Sequence, residues 1–199
     1  LASQRMVKGD STGAMAAALG LLGNLPPNAA SSASPQIRGL FARGHYVVAM
    51  LQNGHGQVDS AVAHADLAVQ ADSMIRGSVG VVYLLAGARQ RGDTVNPNLP
   101  RAIDLLTQAK TYLAGNPRMA ANASFQLGVS QFQFARQLDQ RAEGEHNCEA
   151  VRALPPLWAG VEQNIAAGAS INRDVANQIL TAVPQFRARV DALSRNFRC

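Results

Sequence analysis

Between Val79 and Ala114 the chain reads VGVVYLLAGARQRGDTVNPNLPRAIDLLTQAKTYLA, and no other stretch limits the fold as strongly. Apolar and small residues recur at helical spacing on both sides of a break rich in Gly, Asn and Pro, the pattern of two amphipathic helices joined by a turn. Where those helices would meet, the residues are small: Gly80, Gly87 and Ala102. A missing side chain lets two helix backbones approach closely, so each helix needs a partner cut to the same shape. Only 5% of the residues are aromatic, so the rest of the core has to close in the same way, through alanine and glycine. An all-α fold follows.

Taken in order, the first ten residues have no period and read as frayed or as part of a lost helix. Asp10 or Ser11 caps a helix through AMAAALGLLG that ends before Pro26-Pro27; Ser34 caps the next, with Pro35 in its first turn. The glycines of NGHG mark a turn, and Val58, Ala61, Ala65, Ala68 and Val69 form one stripe of a further helix. Asp72 and Ser73 start the helix that carries Val79, Asn96 to Pro100 belong to a long turn, and Pro117 opens a helix that should stop before a polar turn at AEGEHN. Pro155-Pro156 then predicts a kink or split in the following helix, since each proline lacks a donor and crowds the carbonyl a turn earlier. From about Asn172 to Phe197 a narrow seam of Val175, Ile179, Val183, Phe186, Val190, Leu193 and Phe197 predicts a last helix, bent at Pro184.

The pattern repeats. Small and apolar residues line up from Ala14, Ala61, Ala102 and Ala150, at offsets of 47, 41 and 48 residues, and the helices before the last three align through Phe41-Ala42, Val79-Gly80 and Leu127-Gly128. Val79, Gly80, Tyr83 and Gly87, followed by Ala102, Leu106 and Ala109, resemble the tetratricopeptide repeat family in the order of large, small, aromatic and small residues. The resemblance covers about residues 10 to 170. It departs from the family in its period, which exceeds the usual value of about 34, in Arg76 where a large apolar residue is common, and in His45 and Gln131 where an aromatic is usual. It implies antiparallel helix pairs stacked as a right-handed superhelix in one domain: an N-terminal segment and partial repeat over 1–33, repeats over 34–170 and a C-terminal capping helix over 171–199.

In such an array the first helix of each pair lines a concave face. Turning the wheel from Ala42, Gly80 and Gly128 places Arg43, Tyr46 and Val47, then Val81, Leu84 and Leu85, then Phe125, Val129, Phe132, Gln133 and Arg136 on it. That surface is apolar in the middle with arginines toward its ends, and an apolar patch of this extent needs a cover. A partner peptide, a second copy of the chain or its own terminal helix would serve, and the same residues fit equally the core of a compact bundle. The expectation is a non-enzymatic scaffold for a protein or peptide, acidic where it meets the arginines, with a homodimer as a further possibility. The alternative is a helical domain for a small apolar or glycan ligand within an envelope assembly.

Other functions find little support. The net charge is +5, but the sixteen Arg and two Lys are scattered among acids, which makes a mildly basic surface and not a nucleic-acid footprint. No apolar run is long enough to span a bilayer. His146 and Cys148 lie among Glu143, Glu145 and Glu149 without the paired ligand spacing of a zinc motif, and no nucleophile elbow or phosphate-cradling loop occurs, so neither catalytic residues, metal nor cofactor is expected. Arg91-Gly92-Asp93 reads as part of a turn and not as an adhesion signal. Two unrelated cytosolic thiols and a bridge between Cys148 and Cys199 both fit the cysteine count; we expect the bridge, which implies an oxidising, extracytoplasmic compartment such as the periplasm, with the cytoplasm as the alternative. The start at Leu1 instead of Met is compatible with a removed signal peptide or with a cut boundary.

Overall fold

The computed structural model describes all 199 residues, and its regular structure is entirely helical. The α-helices are α1 (Ala2–Val7), α2 (Ser11–Gly23), α3 (Pro35–Gly54), α4 (Val58–Ala71), α5 (Arg76–Gly92), α6 (Leu99–Tyr112), α7 (Pro117–Glu145), α8 (Cys148–Gly168) and α9 (Arg173–Phe197), with single 3-10 turns at Ala29–Ser31 and Ser73–Ile75. Their starts follow local chemistry. Asp10 and Ser34 accept backbone N–H bonds at the first turns of α2 and α3 as expected, whereas Asp72 caps the 3-10 turn Ser73–Ile75 and α5 starts behind Ile75 without a side-chain cap. The last four helices each begin behind an asparagine, Asn98, Asn116, Asn147 and Asn172, whose side-chain oxygen accepts the N–H three residues on.

Every helix packs on the next one along the chain, and α3 also meets α5, α5 meets α7, and α7 meets α9. Within the pair α5–α6, a Cβ on Gly80 would meet Leu113 and Tyr112, and one on Gly87 would meet Leu106 and the backbone of Ala102. Rising numbers on α5 thus face falling numbers on α6, which makes the pair antiparallel. In α7–α8, Gly128 faces Ile165, and Gly168 faces Phe125, the same sense. Close approach through Gly80, Gly87 and Gly128 is as the sequence suggested, with Gly87 the residue opposite Ala102.

The core lies in three clusters distributed along the chain: Ala14, Ala18, Val47, Val48 and Leu51 around α2 and α3; a larger group from Ala42 to Leu127; and a third from Phe125 to Leu193 that joins α7, α8 and α9. In the third, the Trp158 and Phe186 rings stack at 4.6 Å, with Phe132 edge-on to both at 5.8 and 5.9 Å. Polar contacts hold α9 there. Arg189 bridges the buried Asp139 at 2.9 Å and Glu143 at 2.5 Å, Arg187 pairs with Glu162, and the Cys148 and Cys199 sulfurs meet at 2.02 Å, bonding distance.

Two local expectations are corrected. Residues 2–7 form α1, which packs on α2 and α3 through Ala2 and Met6 instead of fraying. α7 continues through AEGE, because Ala142 is buried and keeps the helix on the core; only His146, in left-handed backbone, and Asn147 make the turn. α8 runs through Pro155 and Pro156 as one helix, without the split that the double proline offered as one of two outcomes. Both prolines are exposed while Leu154 and Trp158 are fully buried, so the two rings lie on the outer side of the helix.

Candidate functional site

The eleven residues read as a concave groove divide into three environments. Val47, Leu84 and Phe125 are core residues, one in each hydrophobic cluster, which corrects their assignment to an open surface. Tyr46, Val81, Val129 and Phe132 are half-buried against those clusters, and Phe132 lies beneath Phe186 of α9. Arg43, Leu85, Gln133 and Arg136 are exposed. The physical reason is that α3, α5 and α7 touch each other as well as their pair partners. A helix held from several sides buries a wider arc than a single-face wheel allows.

Arg43, on α3, borders neither of two clefts that lie on either side of residues 92–94, whereas Leu85 lines the first and Gln133 and Arg136 the second. The first encloses about 770 Å³ among Met50, Asn53, Gly54, Gly56, Val58, Leu85, Arg89, Gln90 and those three residues. Leu85 is 42% exposed there, a large apolar side chain beside Met50 and Val58. Arg89 reaches across the cleft, and its guanidinium donates to the Gly54 carbonyl at 3.4 Å. Asn53 is 4% exposed, and its side-chain oxygen has no donor in the protein.

The second cleft, about 400 Å³, is bounded by Arg91, residues 92–94, Pro97, Leu99, Gln133, Arg136, Gln137 and Gln140. Arg91 is half-buried; a guanidinium N–H donates to Gln126 Oε1 at 2.7 Å, and Nε is buried without a partner. Burial lowers the Arg91 pKa from its ordinary value. The Arg136 guanidinium carbon lies 5.9 Å from the Phe132 ring centre, an arrangement that leaves its N–H edge available. Asp93 faces its own loop: Oδ1 accepts the N–H groups of Val95 and Asn96 at 2.9 and 3.0 Å, and those bonds hold the carboxyl below the usual range. Arg91 and Gly92 end α5 and only Asp93 enters the turn, so the turn reading of the triplet holds for its last residue alone.

Two polar contacts elsewhere escaped the sequence reading. His45 and His64 approach Nδ1 to Nδ1 at 2.6 Å, one ring donating to the other, with Phe41 packed on His45. Burial, and secondarily the charge of His64, depress the His45 pKa to about 4. No third metal-ligating side chain joins the pair. Tyr83 donates a short hydrogen bond to Asp66, and burial together with that bond raises the Tyr83 pKa. The carboxylate and the second imidazole sit on α4, whereas Tyr83 and His45 sit on α5 and α3. Both contacts therefore link helices of the large cluster, and neither adjoins the two clefts.

No protein-family model, curated protein or solved structure matches the chain. The class it defines is an all-α chain whose helices pack in sequential order, closed at its C-terminal end by a bridged helix. None of its helices is long and apolar enough to cross a membrane.

Proposed function

We propose that this chain is a non-enzymatic, tetratricopeptide-like scaffold that binds a protein or peptide segment across the clefts beside α5. The observation that carries the reading is Leu85: a leucine left 42% exposed although its neighbours Leu84, Ala86 and Gly87 on α5 are buried, with Met50 and Val58 beside it and the Arg89 guanidinium at the rim. An apolar seat flanked by a cation suits an apolar anchor residue next to an acidic one. Antiparallel glycine-mediated pairs and the contacts among α3, α5 and α7 support the repeat character. The Cys148–Cys199 bridge supports a role outside the reducing cytoplasm.

Selection from phage-displayed random dodecapeptides tests the reading. The expected outcome is enrichment of peptides that pair a large apolar residue with Asp or Glu, lost on Leu85→Lys at unchanged melting temperature. Failure to enrich any sequence motif, or enrichment indifferent to Leu85, would contradict it. A small polar ligand is the second reading, favoured by the buried, unpartnered oxygen of Asn53 at the first cleft. Such a ligand would raise the melting temperature of the wild type and not of Asn53→Leu.

A further inference from the structure

We infer that the second cleft is a carboxylate-recognition site, in which Arg91 and Arg136 receive an acidic group of the bound segment. The inference rests on the peptide-binding reading and goes beyond it, since neither arginine adjoins Leu85 in the first cleft.

Arg91 is the starting point. The ion pairs of the chain use Arg5, Arg101, Arg141, Arg187 and Arg189, and none reaches Arg91 or Arg136. Half-burying a guanidinium without a counter-charge costs free energy that a surface arginine avoids. The chain accepts that cost and then fixes the group's direction, because Gln126 Oε1 holds one N–H at 2.7 Å. A charge desolvated and oriented but left unpaired is preorganised for a ligand that supplies the opposite charge. Arg136 lies across the same cleft on α7, exposed, and steadied over Phe132.

The neighbouring groups narrow the chemistry. Gln133, Gln137 and Gln140 project from one side of α7 into the cleft at intervals of four and three residues, so their amides form a row. Primary amides pair with the N–H and C=O of a peptide backbone, and Leu99, 2% exposed, supplies an apolar wall. Asp93 also borders the cleft, with its carboxylate held by the loop amides. Two guanidiniums against one carboxylate leave a single excess positive charge, which matches a carboxylate better than a doubly charged phosphate. The planar fork of arginine favours the same choice.

The carboxylate has two sources, an acidic side chain or the end of a chain, and one set of probes separates them. Fluorescence anisotropy would compare a labelled Glu-Leu alternating peptide with an amidated end, its amidated Gln-Leu counterpart, and the Gln-Leu peptide with a free carboxyl end, on wild type, Arg91→Met and Arg136→Met. The expected result is binding of the Glu-Leu peptide, weakened about tenfold or more by either substitution, as for loss of one charge-assisted contact. The amidated Gln-Leu peptide should bind much more weakly. If its free-acid form regains affinity with the same arginine dependence, the terminal carboxylate is the group recognised.

Equal binding of the Glu and amidated Gln peptides overturns the inference, as does an affinity unaffected by either substitution. Displacement by inorganic phosphate at concentrations where chloride has no effect also overturns it, in favour of a phosphate site. Melting temperature provides the second readout. Arg91→Met should melt at or above the wild-type temperature because it removes a half-buried charge that has no counter-charge, and a lowered melting temperature with unchanged peptide affinity would assign Arg91 a purely structural role. Phage-selected peptides that bind at Leu85 but ignore both arginines would refute this site and leave the scaffold reading standing.

Discussion

Replacing Gly128 by alanine sets two effects of known sign against each other at the α7–α8 contact. Alanine is favoured over glycine inside a helix by about 1 kcal/mol. At residue 128, however, the new methyl group would lie 2.7 Å from Ile165 Cγ1 and 2.9 Å from the Ile165 backbone nitrogen. The side-chain atom has room to rotate, but the nitrogen belongs to α8 and moves only with that helix. Overpacking of this kind costs about 1–3 kcal/mol, so the balance is a net loss of about 0–2 kcal/mol once the propensity gain is subtracted. Gly20 is the control: it sits inside α2, and a Cβ there meets nothing within 4 Å. Gly20→Ala keeps only the favourable effect and should gain up to about 1 kcal/mol. Guanidinium unfolding followed by far-ultraviolet circular dichroism reads both as midpoint shifts at constant slope. A Gly128→Ala protein as stable as the Gly20→Ala protein would refute close backbone approach as the organising principle of the helix pairs.

Two further perturbations test how the helices are fastened. The His45 pKa lies near 4 in the folded chain against an ordinary 6.5, so the unfolded state takes up the proton first. The stability contributed by neutral His45 is therefore complete above pH 6.5 and drains away as the pH falls toward 4, by about 2–3 kcal/mol. Urea unfolding of His45→Phe beside wild type across that range should show a shallower acid loss in the variant, and parallel curves would refute it. Reducing the Cys148–Cys199 bridge opens a 51-residue loop and should cost about 4 kcal/mol in the chain-entropy model. Cys199→Ser should lower the unfolding midpoint to that of the reduced wild type, and an unchanged midpoint would contradict a stabilising bridge.

Local and covalent features were legible in the sequence because their causes are local. Asp10 and Ser34 cap helices where their side chains reach the first free N–H groups. Gly80, Gly87 and Gly128 announced close contacts by lacking a side chain, and the seam from Val175 to Phe197 marked the inward face of α9. What stayed hidden depends on residues far apart in the chain. The wheel of α3, α5 and α7 did not reveal that each is held by neighbours on several sides, which turned Val47, Leu84 and Phe125 into core. Arg91 read as part of a turn until Gln126, 35 residues away, oriented it toward α7. His45 read as a departure from an aromatic position; it packs on Phe41 as an aromatic would and meets a second imidazole 19 residues on. A partial signal for the second cleft was present, since Gln133, Arg136, Gln137 and Gln140 share one side of a helix in the sequence itself.

The most direct test of the scaffold account is to titrate isotope-labelled protein with a display-selected peptide and follow the backbone amide resonances. The account predicts that Leu85, Arg89, Arg91, Gln133 and Arg136 shift together with one saturation curve, because the two clefts share residues 92–94. Shifts confined to α1 and α2 or to α9, with the clefts silent, would contradict it.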